Sequence, residues 1–283
     1  MIRPARLAPL VYGRYVIGLA ILLTAFALSG LGVLARDDAR GGGIDVGDPS
    51  LLRRLVSAEK VEQIGAKQYA QVLRQVSNRR QLLPPEHPQV RRVITIAERL
   101  LPHAIRFNPR AQQWRWEVNV VRANVINAFC MPGGKIALYT GLLERLKLTD
   151  AEVAMIMGHE IAHALREHAR ERMAKQMLTN AGAVALGWFT GSDVAGQLAR
   201  MGGNLLSLKF NRDDETESDL IGMEIAARAG YDPRAGVTLW QKMSRAAGGQ
   251  PMQFLSTHPS GENRIRIIQE HLPTVMPLYE AAG

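Results

Sequence analysis

The segment GHEIAHALREH, residues 158–168, contains three histidines and two glutamates. It lies in a proline-free stretch that starts with TDAE at residues 149–152, a sequence typical of a capped helix start. The pattern therefore predicts one long helix. On this helix His159 and His163 are four residues apart and share a face. His168 is nine residues from His159 and is predicted to point to the opposite side.

The pair His159 and His163 has the spacing of two metal ligands. Glu160 follows the first histidine and flanks the pair, where a general base has to lie beside a metal. H-E-x-x-H is the signature of zinc peptidases for this reason, so we predict one zinc ion per chain. The alternative is two histidines with ordinary hydrogen bonds in a core. Gly158 lacks a side chain and leaves room for another segment to approach the pair.

The third ligand is predicted to come from a separate helix. A third histidine on the same element requires the pattern H-E-x-x-H-x-x-G-x-x-H. Arg166 and Ala169 occupy the positions of its glycine and its last histidine. The other possibility is a carboxylate, which leaves one position of the zinc site open. Residues 210–233 supply several carboxylates, of which Glu215 is the predicted ligand.

The acidic residues around Glu215 are predicted to divide between two faces of their helix. Asp219 follows Glu215 by four residues and shares its face, so we expect it to accept a hydrogen bond from a ligating histidine. Glu217 lies on a different face, together with Glu224 and Arg228. That second face is predicted to be exposed to solvent.

The N-terminal region contains a long apolar stretch. Residues 15–35 include no charged side chain over 21 residues, and at about 1.5 Å per residue this length crosses a ~30 Å hydrocarbon core. Arginines precede the stretch, so residues 1–14 are predicted to be cytoplasmic and the rest of the chain exported. A cleaved signal peptide is the alternative. Residues 36–50 are predicted to form a flexible, glycine-rich linker, and residues 51–283 one domain.

Two short strands are predicted among the helices of this domain. Residues 114–121 alternate apolar and polar side chains, which predicts a half-buried strand. Residues 133–141 alternate in the same way after a glycine pair. Residues 51–101 have a helical pattern with a break at Pro84–Pro85. The predicted fold class is α+β, mostly helical, with a small sheet packed on helices.

The remaining features exclude some functions and leave one segment open. The net charge is +9, but no nucleic-acid-binding motif accompanies it, so we predict no nucleic-acid partner. Cys130 is the single cysteine, which excludes an internal disulfide. Residues 178–208 are apolar and rich in small side chains. Two alternatives stay open for them, a helical hairpin that contacts the membrane or covers the cleft, and a buried helix pair.

Four separated motifs of this chain resemble metallopeptidase family 48, which includes the CaaX prenyl proteases and the HtpX, BepA and Oma types. The similarity extends over roughly residues 60–272. Among these types the chain is most similar to the exported BepA and Oma members, which have few membrane spans. The resemblance implies a zincin-type (gluzincin) domain with an exposed sheet edge. The motifs are GHEIAH at 158–163, ETESD at 215–219, NAFCMPGGKIALYTGLL at 127–143 and STHPSGENRI at 256–265.

The resemblance also implies a role for individual residues. His159, His163 and Glu215 become the zinc ligands, and Glu160 becomes the catalytic base. His258 and Arg264 are expected near the zinc, one or both stabilising the oxyanion, with a capping turn and a surface ion pair as the alternative. The strand at residues 133–140 becomes the sheet edge that binds an extended peptide, main chain to main chain. The substrate-binding residues are then Asn127, Gly133, Gly134, Lys135, Ile136 and Ala137.

The function that these features imply is that of a membrane-tethered, exported zinc endopeptidase. Its substrates would be unfolded or misassembled envelope proteins in an extended conformation, and its site would be on the periplasmic side of the inner membrane. The membrane contact is the predicted N-terminal helix, and no oligomeric state is predicted. The alternative is a non-cleaving, metal-bearing chaperone or assembly factor. The presence of Glu160 argues against this alternative, because a binding protein needs no general base.

Overall fold

The structure is a computed structural model that describes residues 42–190, 205–248, 253–259 and 263–283. These residues form a mostly helical domain around one three-stranded sheet, with three short 3-10 helices before the sheet. The strands are β1 (Glu117–Val121), β2 (Ala128–Met131) and β3 (Lys135–Tyr139). The described helices are α1 (Ala58–Asn78), α2 (Pro88–Ala104), α3 (Thr140–Arg145), α4 (Asp150–Leu165), α5 (His168–Thr190), α6 (Arg212–Arg228), α7 (Ala235–Ala247), α8 (Gln253–Thr257) and α9 (Arg264–Glu280).

Helix α4 passes through the centre of the domain. The predicted capping box at its start is confirmed: Thr149 Oγ1 accepts a bond from the main chain of Glu152 at 3.3 Å, and the Glu152 carboxylate accepts one from Thr149 N at 2.8 Å. Every residue from Glu152 to Leu165 is buried. A helix that is surrounded on all sides belongs to the core of a domain, so the site that α4 carries has limited access to water.

The prediction of one long helix that continues past His168 is wrong, because α4 ends at Leu165 and a new helix begins at His168. Glu167 lies between them in the left-handed backbone region, with a φ of 59°. Its carboxylate bonds to Arg170 Nη1 at 2.9 and 3.0 Å and pairs with Arg53 at 3.0 Å. These ion pairs hold a backbone conformation that is unfavourable for a residue with a side chain. The chain therefore changes direction just after the histidine pair.

Helices α4 and α6 touch through their main chains at two glycines. A Cβ atom placed on Gly158 would lie 2.6 Å from the carbonyl oxygen of Gly222, and one on Gly222 would lie 2.5 Å from the nitrogen of His159. The expectation that Gly158 lets a second segment approach is therefore confirmed. This contact brings the acidic residues of α6 next to the histidines of α4.

Replacing Gly158 with alanine is expected to force the two helices apart. The added Cβ would meet main-chain atoms, which cannot rotate away. Overpacking of this kind costs about 1–3 kcal/mol, which exceeds the gain in helix propensity of up to about 1 kcal/mol. We expect a lower melting temperature and weaker zinc binding. Gly236→Ala in α7 is the control, because its Cβ would meet side chains and no main-chain atom, namely the terminal Cε of Met155 at 2.9 Å and Ile268 at 3.4 Å. An unchanged melting temperature in Gly158→Ala would contradict the close contact.

The sheet has the order β1-β3-β2, with β1 parallel and β2 antiparallel to β3. The prediction that residues 133–140 form a sheet edge is therefore wrong, since β3 is the central strand. The strand predicted at 114–121 is shorter, and all five residues of β1 are buried, so it is not half-buried. The outer side of β1 bonds to the chain before α2, with Leu83 N 3.0 Å from Val120 O. The outer side of β2 faces α4.

Residues 42–48 have no regular secondary structure but lie against α4 and α6. Ile44 N donates to a carboxylate oxygen of Glu224 at 2.7 Å, and Arg166 Nη2 donates to the carbonyl of Gly47 at 2.9 Å. Glu224 is 1% exposed and also pairs with Arg106 and Arg228 at 2.9 and 2.8 Å. Residues 42–48 therefore pack against the helices, and the predicted solvent-exposed face around Glu224 is wrong.

Two predicted segments fall outside the described residues. The apolar stretch 15–35 lies before the first of them, and residues 191–204 of the open segment 178–208 lie in a gap. Residues 178–190 continue α5. Among the helices of the described ranges, none combines the length and the apolar character that a membrane crossing requires.

Candidate metal centre

Three parts of the chain bring four metal-binding side chains together. Helix α4 supplies His159 and His163, α6 supplies Glu215, and the turn after α8 supplies His258. One ligand atom from each residue can be chosen so that all four lie within 4.8 Å of one another, and all four side chains are buried. The structure therefore brings together the three predicted ligands, and it adds His258 to them.

The distances among the predicted ligands suit a zinc ion. The Nε2 atoms of His159 and His163 are 3.0 Å apart. The Glu215 carboxylate lies 3.5 Å from Nε2 of His159 and 3.4 Å from Nε2 of His163. Ligands at about 2.0–2.2 Å from a tetrahedral zinc ion are roughly 3.3–3.6 Å from one another. Two imidazoles and one carboxylate are also a ligand set of catalytic zinc sites, so these residues fit the ion.

The charge states of the ligands favour a cation between them. Burial lowers the pKa of His163 well below its ordinary value, which keeps this imidazole neutral. Burial on its own would raise the pKa of Glu215, but its contacts with the imidazoles of His163 and His258 outweigh it and hold the pKa far below the usual range. A neutral imidazole and an ionised carboxylate are the forms that bind metal ions.

Glu160 lies beside the ligands and has one unsatisfied oxygen. Its Oε2 accepts a bond from Cys130 N at 3.3 Å. Its Oε1 lies 3.4 Å from Nε2 of His258, but it makes no hydrogen bond with any described residue and is inaccessible to solvent. Burial raises the pKa of Glu160, against the opposing charges of His258 and His159. A buried carboxylate with a free oxygen and a raised pKa has the properties of a general base.

Asp219 and Arg264 form a layer behind the ligands. Asp219 Oδ1 lies 3.0 Å from Nδ1 of His159, which is the contact expected from the sequence. Arg264 donates to both oxygens of Asp219 at 2.6 Å and to Glu215 Oε2 at 2.7 Å. Its guanidinium also stacks on the ring of Trp240, at 3.6 Å from the centroid. The alternative of a surface ion pair is wrong, because Arg264 is only 4% exposed.

The two residues expected to stabilise the oxyanion occupy different positions. The guanidinium of Arg264 is directed at two carboxylates behind the ligands, so it is placed to orient Glu215 and not to contact a substrate. His258 lies in the cluster itself, with Nδ1 3.0 Å from Glu215 Oε1 and 3.3 Å from Nε2 of His159. Its ring stacks on Phe254, with centroids 4.5 Å apart. His258 can therefore act as a fourth ligand or as a donor to an oxyanion.

The predicted substrate residues divide among three places. Asn127 lines a cavity of about 100 Å³ that also includes Glu160 and His163. Gly133 and Gly134 form the turn between β2 and β3, with φ of 84° and 76°, which only glycine adopts without strain. Lys135, Ile136 and Ala137 lie in the central strand and do not line this cavity. The strand beside the metal ligands is β2, whose residues all line the cavity.

Strand β2 was missed because its sequence lacks a strand pattern. AFCM has four residues and no alternation of polar and apolar side chains. The one signal available was the glycine pair that follows it, which is typical of a hairpin turn. The antiparallel pairing places Ala128 opposite Leu138 and Met131 opposite Lys135. Because Cys130 N donates to Glu160, the side of β2 that pairs with no described strand faces the Glu160 carboxylate.

Comparison with known proteins identifies the domain. Residues 88–272 match the model of peptidase family M48. The chain is 39% identical over 155 residues to the mitochondrial metalloendopeptidase OMA1 of Arabidopsis thaliana, which covers 55% of this chain and 31% of that protein. It is 34% identical over 222 residues to OMA1 of Schizosaccharomyces pombe, with 77% and 63% covered. It is 28% identical over 170 residues to the beta-barrel assembly-enhancing protease of Escherichia coli, with 56% and 35% covered.

The chain thus spans from about a third to just under two thirds of the length of these relatives. The matched region includes α4, α6 and the turn with His258, so it contains the complete metal centre. The expected mostly helical metallopeptidase domain with a small sheet is confirmed. On the extent of the match and on this metal centre, the chain belongs to peptidase family M48.

Proposed function

We propose that this protein is a zinc-dependent endopeptidase. The observation that carries the proposal is the buried Oε1 of Glu160, which has no hydrogen-bond partner among the described residues, beside two histidines and one glutamate with the spacing of zinc ligands. A binding protein gains nothing from an unsatisfied buried carboxylate, which costs stability. A hydrolase requires such a group, because a base must take a proton from the attacking water.

The residues of the site divide the work of hydrolysis. A zinc ion held by His159, His163 and Glu215 would supply a Lewis acid for the scissile carbonyl and a water of lowered pKa. Glu160 takes a proton at Oε1 and later returns it to the leaving amine. His258, with its Nε2 on the side of Glu160, donates to the carbonyl oxygen as negative charge develops there.

The substrate is proposed to be an extended polypeptide that adds to the side of β2 that pairs with no described strand. This arrangement uses main-chain hydrogen bonds and so requires little specificity for side chains. It places the scissile bond next to Glu160, because Cys130 N in β2 lies 3.3 Å from that carboxylate. The other wall of the cavity includes Leu205, Leu208 and Phe210. Since His159, Glu160 and His163 are 3–4% exposed, this wall has to move before a chain can enter.

We further propose that the protein works at a membrane, on unfolded or misassembled envelope proteins. The apolar residues 15–35 support a tether, with the domain on the exported, periplasmic side of the inner membrane. The similarity to the beta-barrel assembly-enhancing protease supports an envelope setting. Strand addition supports unfolded substrates, because a folded protein does not offer a free extended segment.

Digestion of casein by the purified full chain tests the proposal. We expect cleavage that stops when a chelator removes the metal and returns when zinc is added. The fragments should come from within the casein chain, as an endopeptidase produces. If the zinc-loaded chain binds unfolded casein but leaves it intact, the non-cleaving chaperone is correct and the peptidase is not.

A further inference from the structure

His168 contacts the side of His163 that faces away from the other ligands. Its Nδ1 lies 2.9 Å from Nδ1 of His163, and its Nε2 lies 2.6 Å from a carboxylate oxygen of Glu217. The His168 ring is 2% exposed, and its centroid is 5.0 Å from that of His163. Neither His168 nor Glu217 belongs to the group that could hold a metal. The contacts therefore form a chain of two imidazoles that ends on a carboxylate.

We propose that His168 and Glu217 are positioning residues that fix His163 in the one tautomer able to bind the metal. The inference deepens the proposed function, because it concerns the same zinc site. A neutral imidazole binds a metal through the nitrogen that carries no proton. His163 directs Nε2 at the ligand cluster, so its proton has to be on Nδ1.

The observed contacts select this arrangement of protons. When Nδ1–H of His163 donates, Nδ1 of His168 accepts, and the remaining proton of a neutral His168 is on Nε2. That Nε2–H donates to Glu217, because an ionised carboxylate can accept hydrogen bonds but cannot donate one. In the opposite arrangement, Nδ1 of His168 carries a proton and donates it to Nδ1 of His163. The proton of His163 is then on Nε2, toward the metal. An unprotonated Nε2 on His168 would then face the Glu217 carboxylate without a hydrogen.

The neighbours of Glu217 and His168 stabilise the same arrangement. Arg166 forms an ion pair with the second oxygen of Glu217, so the carboxylate is held from both sides. The cationic Arg166 and the donor His168 both stabilise Glu217 as a charged carboxylate. Ser218 Oγ lies 3.4 Å from Nδ1 of His168, where its hydroxyl can donate to the same lone pair.

The break between α4 and α5 makes the contact possible. In a continuous helix His168 would point about 140° away from His163, since each residue adds about 100°. The left-handed conformation of Glu167 instead returns the chain, so that His168 faces His163. Glu217 is predicted from the sequence to be on a solvated face, but its side chain is 20% exposed and bonded to His168 and Arg166. The solvated-face prediction is therefore wrong for Glu217 as well.

Zinc affinity of two His168 variants tests the proposal. Asparagine keeps an acceptor oxygen near the position of Nδ1, whereas leucine fills the space without any acceptor. We expect the zinc dissociation constant, measured by competition with a chromophoric chelator, to rise about 10–100-fold in His168→Leu. The rise should be clearly smaller in His168→Asn. A role in packing alone predicts the opposite order, because leucine tolerates a buried position better than asparagine.

Glu217→Gln and Asp213→Asn form a matched pair on α6. Each removes one carboxylate charge, but Asp213 is exposed, and the carboxylate that bonds to His168 is that of Glu217. We expect several-fold weaker zinc binding in Glu217→Gln and no change in Asp213→Asn. The visible absorption of the cobalt-loaded chain should also shift in His168→Leu, since the orientation of a ligand changes, and remain unchanged in Asp213→Asn.

Two outcomes would overturn the proposal. One is wild-type zinc affinity in both His168→Leu and Glu217→Gln, and the other is weaker binding in His168→Asn than in His168→Leu. Each variant is compared with wild type by circular dichroism in the metal-free state, so that a loss of folding is recognised. None of these measurements uses peptidase activity. If the wild-type chain itself binds no zinc, the proposed function fails instead.

Discussion

Replacing Glu160 with glutamine should abolish proteolysis and leave the metal centre intact. Glutamine has the shape of glutamate but cannot take a proton, so the loss of general base catalysis should lower the cleavage rate by about 10²–10⁴-fold. The zinc content should not change, because Glu160 is not among the ligands that the structure brings together. Casein digestion and metal analysis of the same preparation measure both quantities.

The stability of this variant provides a second readout. Glu160 Oε1 is buried and has no hydrogen-bond partner in the described part of the chain. A neutral amide costs less to bury than a carboxylate, so Glu160→Gln should melt at the same temperature as the wild type or above it. Glu98→Gln, an exposed position on α2, is the control for the isosteric change. Wild-type peptidase activity in zinc-loaded Glu160→Gln would show that another group is the base.

Replacing Arg264 with leucine should destabilise the domain more than any other substitution considered for this protein. Arg264 is the buried cation between Asp219 and Glu215, and both carboxylates would lose their partner. Breaking a buried ion pair by removing one member costs about 3–5 kcal/mol. For a domain of this size that corresponds to a fall in melting temperature of roughly 6–20 °C. Zinc binding should weaken as well, because Arg264 holds the ligand Glu215 in place.

The neighbouring Arg266 offers a control on the same helix. Its side chain is 58% exposed and pairs with Glu270 on the surface of α9, so Arg266→Leu should change the stability by less than about 0.5 kcal/mol. Thermal unfolding is measured in the presence of a chelator, which separates the fold from the metal. Equal melting temperatures for Arg264→Leu and Arg266→Leu would contradict the structural role of the buried ion pairs.

The grouping of the candidate metal ligands could be predicted because local periodicity determines which residues share a helix face. Residues four apart on a helix share a face, and this rule alone placed His159 beside His163 and Asp219 beside Glu215. The capping box at Thr149 fixed where α4 begins. The meeting of α4 with α6 is a long-range contact, and only Gly158 indicated it in advance.

Other features depend on contacts that no local pattern encodes. The central position of β3 follows from its parallel pairing with β1. The burial of Glu224 follows from residues 42–48 and Arg106, which are more than a hundred residues away. The break before His168 contains neither glycine nor proline, and ion pairs of Glu167 with Arg53 and Arg170 hold it. Each of these predictions failed where tertiary contacts overrode the local pattern.

The glycine contact between α4 and α6 determines where Glu215 lies relative to the two histidines of the metal centre. Gly222 lies seven residues after Glu215, which at 1.5 Å per residue is a separation of about 10 Å along the helix axis. A tilt of α6 by only about one degree around Gly222 would displace the Glu215 carboxylate by roughly 0.2 Å, which is the tolerance of a zinc–ligand distance. The guanidinium of Arg264 donates to Glu215 and Asp219 and so holds the N-terminal part of α6 in place. The precision of the coordination sphere thus depends on two fixed points along one helix.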